Sequence, residues 1–116
     1  MLSHIYSCGL SGIDGFSVCV ETDISNGLPA FDIVGLPDAA VKEAKERIRS
    51  AIKNTGFRFP AKHIVINLAP ASKRKEGSGY DLPMALSIIC ATEQIYAPDL
   101  SKCAFFGALS LDGTVQ

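Results

Sequence analysis

The segment from Leu82 to about Thr92, LPMALSIICAT, is apolar almost all the way round the helix it predicts: Leu82, Met84, Ala85, Leu86, Ile88, Ile89, Cys90 and Ala91 leave little to face water. Such a helix persists only when it is covered on several sides, so the rest of the chain must supply a sheet and a further layer. The residues in front of it are just as constraining. From Asn67 the chain runs through an apolar strand end, a basic loop (Lys73, Arg74, Lys75) and a glycine turn (Gly77, Gly79). Asp81 is placed to N-cap the helix, its carboxylate at the positive end of the helix dipole. Pro83 falls in the first turn, where a missing N–H costs little. A strand, a glycine turn and a helix N-terminus together make a candidate anion or nucleophile site.

Upstream, strand patterns dominate. Ser3 to Cys8 is a short semi-apolar run followed by the turn residues Gly9, Gly12, Asp14 and Gly15. In Phe16 to Ile24, the residues Phe16, Val18, Val20 and Thr22 alternate with Ser17, Cys19 and Glu21, the pattern of a half-buried strand that forms a hairpin with the first. A turn at Asn26 to Pro29 leads into a short strand, Ala30 to Val34, closed by Gly35-Leu36-Pro37. Asp38 opens the clearest helix. Val41, Ala44, Ile48, Ala51 and Ile52 recur at helical spacing, with Lys42, Glu43, Lys45, Glu46, Arg47, Arg49 and Lys53 on the other side. Glu43 and Arg47 stand in the favourable i,i+4 order, and Gly56 marks the stop. The charges alternate in sign, which reads as a solvated face.

His63 to Leu68 is a strand rich in β-branched residues, and Tyr96 to Asp99 reads as loop. Ala104 to Ala108 and Leu109 to Val115 read as two further strands, the second carrying an Asp112-Gly113 turn. The predicted order is β-β-β-α-β-α-β-β, an α/β (α+β) fold in which two main helices cover one face of a mixed sheet in a two-layer sandwich. One domain over residues 1–116 is the expectation for this length. The last hairpin arm has barely begun at Gln116, so a piece of a longer chain is expected.

Composition narrows the function classes. A formal net charge of −1 leaves no global field to draw in nucleic acid or an anionic membrane, so any such contact needs a local patch. No apolar run approaches the roughly 20 residues that span a bilayer. Cys8, Cys19, Cys90 and Cys103 contain no CxxC pair and read as reduced, small apolar residues of a cytoplasmic protein. His4 and His63 are isolated, so no metal-ligand spacing exists. Ser78, in the glycine turn beside a helix N-terminus, is the weak candidate nucleophile, with Lys73 or Lys75 as the conceivable base. The alternative is a serine that only satisfies a turn. KEGSG is not a P-loop, because GxxxxGK[ST] occurs nowhere in the chain. Lys73, Arg74 and Lys75 are the candidate contacts for a nucleic-acid phosphate, against the plainer reading of a solvated loop.

Two long segments add a resemblance. GLPAFDIVGLPDAAVKEAKERIRSAI (Gly27 to Ile52) and INLAPASKRKEGSGYDLPMAL (Ile66 to Leu86) are similar to the amino-terminal part of the ComM family, magnesium-chelatase-like AAA+ ATPases of DNA processing and competence. The opening YSCGLSGIDGFSVCVETDIS and the closing FGALSLDGTVQ resemble the same family. The resemblance implies a Lon-protease-like sandwich of the ribosomal-protein-S5 domain 2 type. It also implies a parent chain whose AAA+ module binds ATP and Mg, assembles as a hexameric ring, and acts on DNA in branch migration or recombination. No cofactor is expected in these 116 residues. The implied partners are that module, neighbouring subunits and DNA, and no membrane. In Lon-type peptidases the helix follows a sequence like DGPSAG. Laid on EGSGYD, Glu76 and Gly77 match, Ser78 takes the proline position and Gly79 the position of the nucleophilic serine. The family's catalytic lysine falls beyond Gln116. The resemblance therefore implies a non-peptidase relative whose role is DNA contact or ring assembly.

Overall fold

In the computed structural model, which describes residues 1–96 and 99–116, a four-stranded sheet in the order β1-β2-β4-β3 carries the chain. The strands are β1 (Leu2–Ser11), β2 (Asp14–Ser25), β3 (Ala30–Val34) and β4 (His63–Ala69). β1 and β2 form the expected hairpin, closing at the Ser11–Asp14 pair around Gly12 and Ile13. Gly12, at φ 65°, supplies the left-handed backbone that a two-residue hairpin turn needs. β2 runs antiparallel to β4, whereas β3 runs parallel to it. A parallel pair requires a long crossover. Here it holds α1 (Ala39–Lys42) and α2 (Ala44–Asn54). The remaining helix is α3 (Asp81–Ala91), which packs across β1 and β2.

Strand alternation builds the core. Ile5 and Ser7 of β1, Val18, Val20, Thr22 and Ile24 of β2, Phe31 and Ile33 of β3, and Ile64, Ile66 and Leu68 of β4 are buried on one face. Ala44, Ile48, Ala51 and Ile52 of α2 and Met84, Ala85, Ile88 and Ile89 of α3 are buried with them, giving the two-layer sandwich. The other face of the sheet carries polar pairs: His4 with Glu21 at 3.3 Å and His63 with Asp32 at 3.6 Å. A buried polar latch fixes α3 in place. The Ser87 hydroxyl donates to Met84 O at 2.7 Å, which leaves its oxygen to accept from Thr22 Oγ1 at 2.5 Å.

Three expectations change. The first helix is broken at Glu43 into α1 and α2, and near the break Ala40 O accepts from Arg47 Nη2 at 3.2 Å. Residues 104–116 form no strand. Ala104 bridges Tyr6 and Leu109 bridges Val115, but the N–H groups between them go to different elements, so no ladder develops. Phe105 N–H reaches Tyr6 O, Gly107 N–H reaches Gly79 O and Leu109 N–H reaches the Asp81 carboxylate. The Asp112-Gly113 turn is present, with Gly113 at φ 92°. All four cysteines are free, but only Cys19 and Cys90 are half-buried, whereas Cys8 and Cys103 face solvent. The loop read at Tyr96 to Asp99 lies outside the described residues at 97–98. No helix among the described residues is long and apolar enough to cross a membrane.

Candidate functional site

The glycine loop is tied to the turn that starts α1. Lys75 N–H donates to Leu36 O at 3.0 Å, and Asp38 N–H donates to Lys75 O at 3.0 Å. Asp38 caps α1 as expected, Oδ1 accepting from Val41 N–H at 2.8 Å, while Oδ2 accepts from Gly77 N–H at 3.1 Å. One carboxylate thus holds a helix start and the glycine turn together. The fit is close at Gly35, φ 102°, where a Cβ would lie 2.3 Å from Leu68 O.

The basic trio does not act as a unit. Lys75 is fully buried, and its ammonium donates to Gly35 O at 2.7 Å and to Pro70 O. Burial pushes its pKa below the ordinary lysine value. Lys75 is an internal strut of the loop, which corrects its reading as a phosphate contact: its donors point inward, to carbonyls. Arg74 Nε stands 3.4 Å from Glu76 Oε1, both side chains well exposed, and Lys73 Nζ lies 5.3 Å from the centre of the Phe16 ring. Two cations therefore face solvent here, and one of them has an acidic neighbour.

The start of α3 is closed to ligands. Asp81 N–H donates to Ser78 O at 3.2 Å, Leu82 N–H donates to Gly107 O at 2.9 Å, and Pro83 has no N–H to offer. The donors that make a helix N-terminus an anion site are used up within the fold. Asp81 is the first helical residue rather than the cap, a position taken by Tyr80, and its side chain points elsewhere. It is buried and takes a two-pronged ion pair from Arg47, Nε to Oδ2 at 2.8 Å and Nη2 to Oδ1 at 3.1 Å, while Oδ2 also accepts from Leu109 N–H at 3.0 Å. Arg47 belonged by pattern to the solvated face of its helix. Instead it reaches across to α3, also touching Glu43 Oε1 at 3.1 Å, and the paired carboxylates raise its pKa. A nucleotide phosphate does not fit at this helix start, where it would meet a buried carboxylate and first-turn N–H groups that are already bonded.

The nucleophile position is filled. Gly79 is buried, and a Cβ built on it would lie 2.0 Å from Cζ of Phe106. The Phe106 ring stands edge-on to Tyr80, centroids 5.9 Å apart. No serine side chain has room at Gly79 while that ring is there. Ser78 is exposed, and its hydroxyl makes no hydrogen bond among the described residues, to Lys73, Lys75 or any other base. Beside this joint lies an apolar cleft of about 420 Å³, walled by Cys8, Leu10, Tyr80 and Phe106, with Arg74 and Glu76 at its rim. Sequence reasoning missed both the Arg47–Asp81 pair and the Phe106 lid. Only the resemblance, which set a glycine where a serine belongs, pointed to the second.

Residues 20–116 match the family model described as subunit ChlI of magnesium chelatase. Over 115 residues, or 99% of the chain, it is 45% identical to the uncharacterised protein YifB of Salmonella typhimurium, covering 23% of that protein. It is 44% identical over the same share to the competence protein ComM of Haemophilus influenzae, again 23% of the relative. Uncharacterised protein Rv2897c of Mycobacterium tuberculosis is 38% identical over 99% of the chain. The chain thus spans about a quarter of the length of the curated relatives it matches. It belongs to the magnesium-chelatase ChlI family, as a domain of the kind found at the amino terminus of ComM.

Proposed function

We propose that this chain is the non-catalytic Lon-like domain of a cytoplasmic AAA+ ATPase of the ComM kind, working in DNA processing such as branch migration, recombination or competence. The observation that carries the reading is the closed start of α3: Gly79 lies under Phe106 and the first N–H groups are bonded internally. A helix start with no room for a side chain at Gly79, and with its first N–H groups already bonded, supports a role in contact and assembly. ATP and Mg belong to the parent's nucleotide module, since these 116 residues hold no P-loop. The test uses the full-length parent. DNA should stimulate its ATP hydrolysis, and a fluorophosphonate should leave Ser78 unlabelled. Hydrolysis indifferent to DNA refutes the DNA role, and a labelled Ser78 refutes the non-catalytic one.

A second reading, ring assembly, has its own observation. The closing end of the β1–β2 hairpin carries Leu10 and Ile13 at 75% and 98% exposure, two bare apolar side chains. Ile13→Asp should then lower the parent's oligomeric state in sedimentation while its DNA contact persists. Unchanged assembly removes this reading.

A further inference from the structure

At the opposite end of β4 from the glycine loop lies a cleft of about 210 Å³ between α2 and the segments leading into β3 and β4. Every charged side chain lining it is cationic: Arg49 and Lys53 from α2, and Lys62 from the approach to β4. The Arg49 guanidinium carbon sits 4.8 Å above the centre of the Phe59 ring, which is braced against Phe31 with centroids 5.8 Å apart. Glu46 is the acidic neighbour, 3.9 Å from Arg49, but its side chain is 80% exposed and outside the cleft. A second hollow of about 310 Å³ adjoins the first, sharing Pro60 and Lys62 and adding Arg58. Gln94 clamps the Arg58 backbone in both directions, accepting from its N–H and donating to its carbonyl, each at 2.7 Å. The loop that carries Arg58, Phe59 and Lys62 is therefore held in shape before anything binds.

Four cations along two joined hollows, in a chain whose net charge is −1, repel one another and gain most from a ligand with several negative charges in a row. The Phe59 ring, capped by Arg49 and braced by Phe31, adds an aromatic contact to this cationic wall, the combination that suits an unpaired base beside its phosphates. We infer that this cleft binds the phosphodiester backbone of single-stranded nucleic acid, with Arg49, Lys53, Lys62 and Arg58 on phosphates and Phe59 beside a base. The choice of a nucleic-acid strand over an acidic peptide rests in part on the DNA-processing reading above.

The test is fluorescence anisotropy of the 116-residue chain with a labelled oligothymidylate of about 15 nucleotides, in salt from about 20 to 200 mM. Three to four phosphate contacts give a log–log salt slope of about −2 to −3, at roughly 0.7 per contact on a single strand. Arg49→Ala, Lys53→Ala and Lys62→Ala should each reduce the slope by about 0.7 and weaken binding about eightfold at 50 mM salt. Lys53 is exposed, so its variant keeps the fold, which a thermal melt verifies. Arg49→Lys should retain the slope, and the double variant Lys73→Ala, Arg74→Ala should bind as the parent chain does. A flat salt slope overturns the proposal, as does a loss confined to the Lys73, Arg74 variant. Competition by inorganic phosphate or a thymidine mononucleotide as effective, per molecule, as the oligonucleotide also overturns it, because a small-anion site would then suffice. Failure here with DNA-stimulated ATP hydrolysis intact in the full-length parent overturns this cleft alone and leaves the reading of the whole protein standing.

Discussion

Replacing Arg47 with Met keeps most of the side-chain volume but strands the Asp81 carboxylate. Asp81 is buried and accepts three hydrogen bonds, two from the guanidinium at 2.8 and 3.1 Å and one from Leu109 N–H at 3.0 Å. The variant keeps only the last of these. Removing one partner of a buried ion pair leaves an uncompensated charge and costs about 3–5 kcal/mol, whereas an exposed pair is worth about 0–1 kcal/mol. With a urea m-value of about 1.5 kcal/mol/M for a domain of this size, the midpoint should fall by roughly 2–3 M. Urea unfolding followed by circular dichroism measures it. A double-mutant cycle with Asp81→Ala separates the pair from the packing of each residue, and should give a coupling of about 1–3 kcal/mol. If Arg47→Met costs less than about 1 kcal/mol, the pair behaves as a surface contact and the argument for a structural joint at α3 fails.

Three further outcomes follow from the same geometry. Gly79→Ala should cost about 1–2 kcal/mol, because its Cβ meets the Phe106 ring, and Phe106→Ala should suppress that cost when the two are combined; paired urea titrations read it. Gly35→Ala should be more severe, roughly 3 kcal/mol, since the clash is with the backbone of Leu68 at a positive φ and neither side can yield. Lys75→Met should cost about 2 kcal/mol at neutral pH by orphaning the Gly35 and Pro70 carbonyls. It should also change the pH dependence. Burial lowers the folded-state pKa of Lys75 below its ordinary 10.5, so the unfolded chain binds the proton more tightly. The lysine's contribution to stability therefore rises with pH through the lowered value towards 10.5, and the Met variant should lack that rise in a series of urea midpoints.

The sheet and the helices were legible because each has a period. Val18, Val20 and Thr22 alternate and are buried in turn, and Val41, Ala44, Ile48 and Ile52 recur at helical spacing and are buried together. What the pattern could not give is which charged residue leaves its own face. Arg47 sits among exposed neighbours in sequence, and only the packing of α2 beside α3 brings it to Asp81. Lys75 is likewise indistinguishable from Lys73 and Arg74 in a run of three cations. The carbonyls that draw it inward belong to Gly35 and Pro70, one of them forty residues away. Residues 104–109 have strand composition, yet the partners of Phe105, Gly107 and Leu109 are split among β1, the glycine turn and the Asp81 side chain, so composition alone overstates the sheet. The cationic cleft escaped for the same reason: its members come from α2 and from a loop that only the fold brings alongside.

Amide hydrogen exchange at Leu82 and Leu109 tests most directly whether the start of α3 is a closed joint. First-turn amides of a helix ordinarily lack an internal partner and exchange quickly. Here Leu82 N–H is bonded to Gly107 O at 2.9 Å and Leu109 N–H to the buried Asp81 carboxylate at 3.0 Å, so both should be protected nearly as well as core amides of β2 and β4. Rapid exchange at both would mean that the helix start is open, with donors free for a ligand or an oxyanion, and would contradict the non-catalytic account.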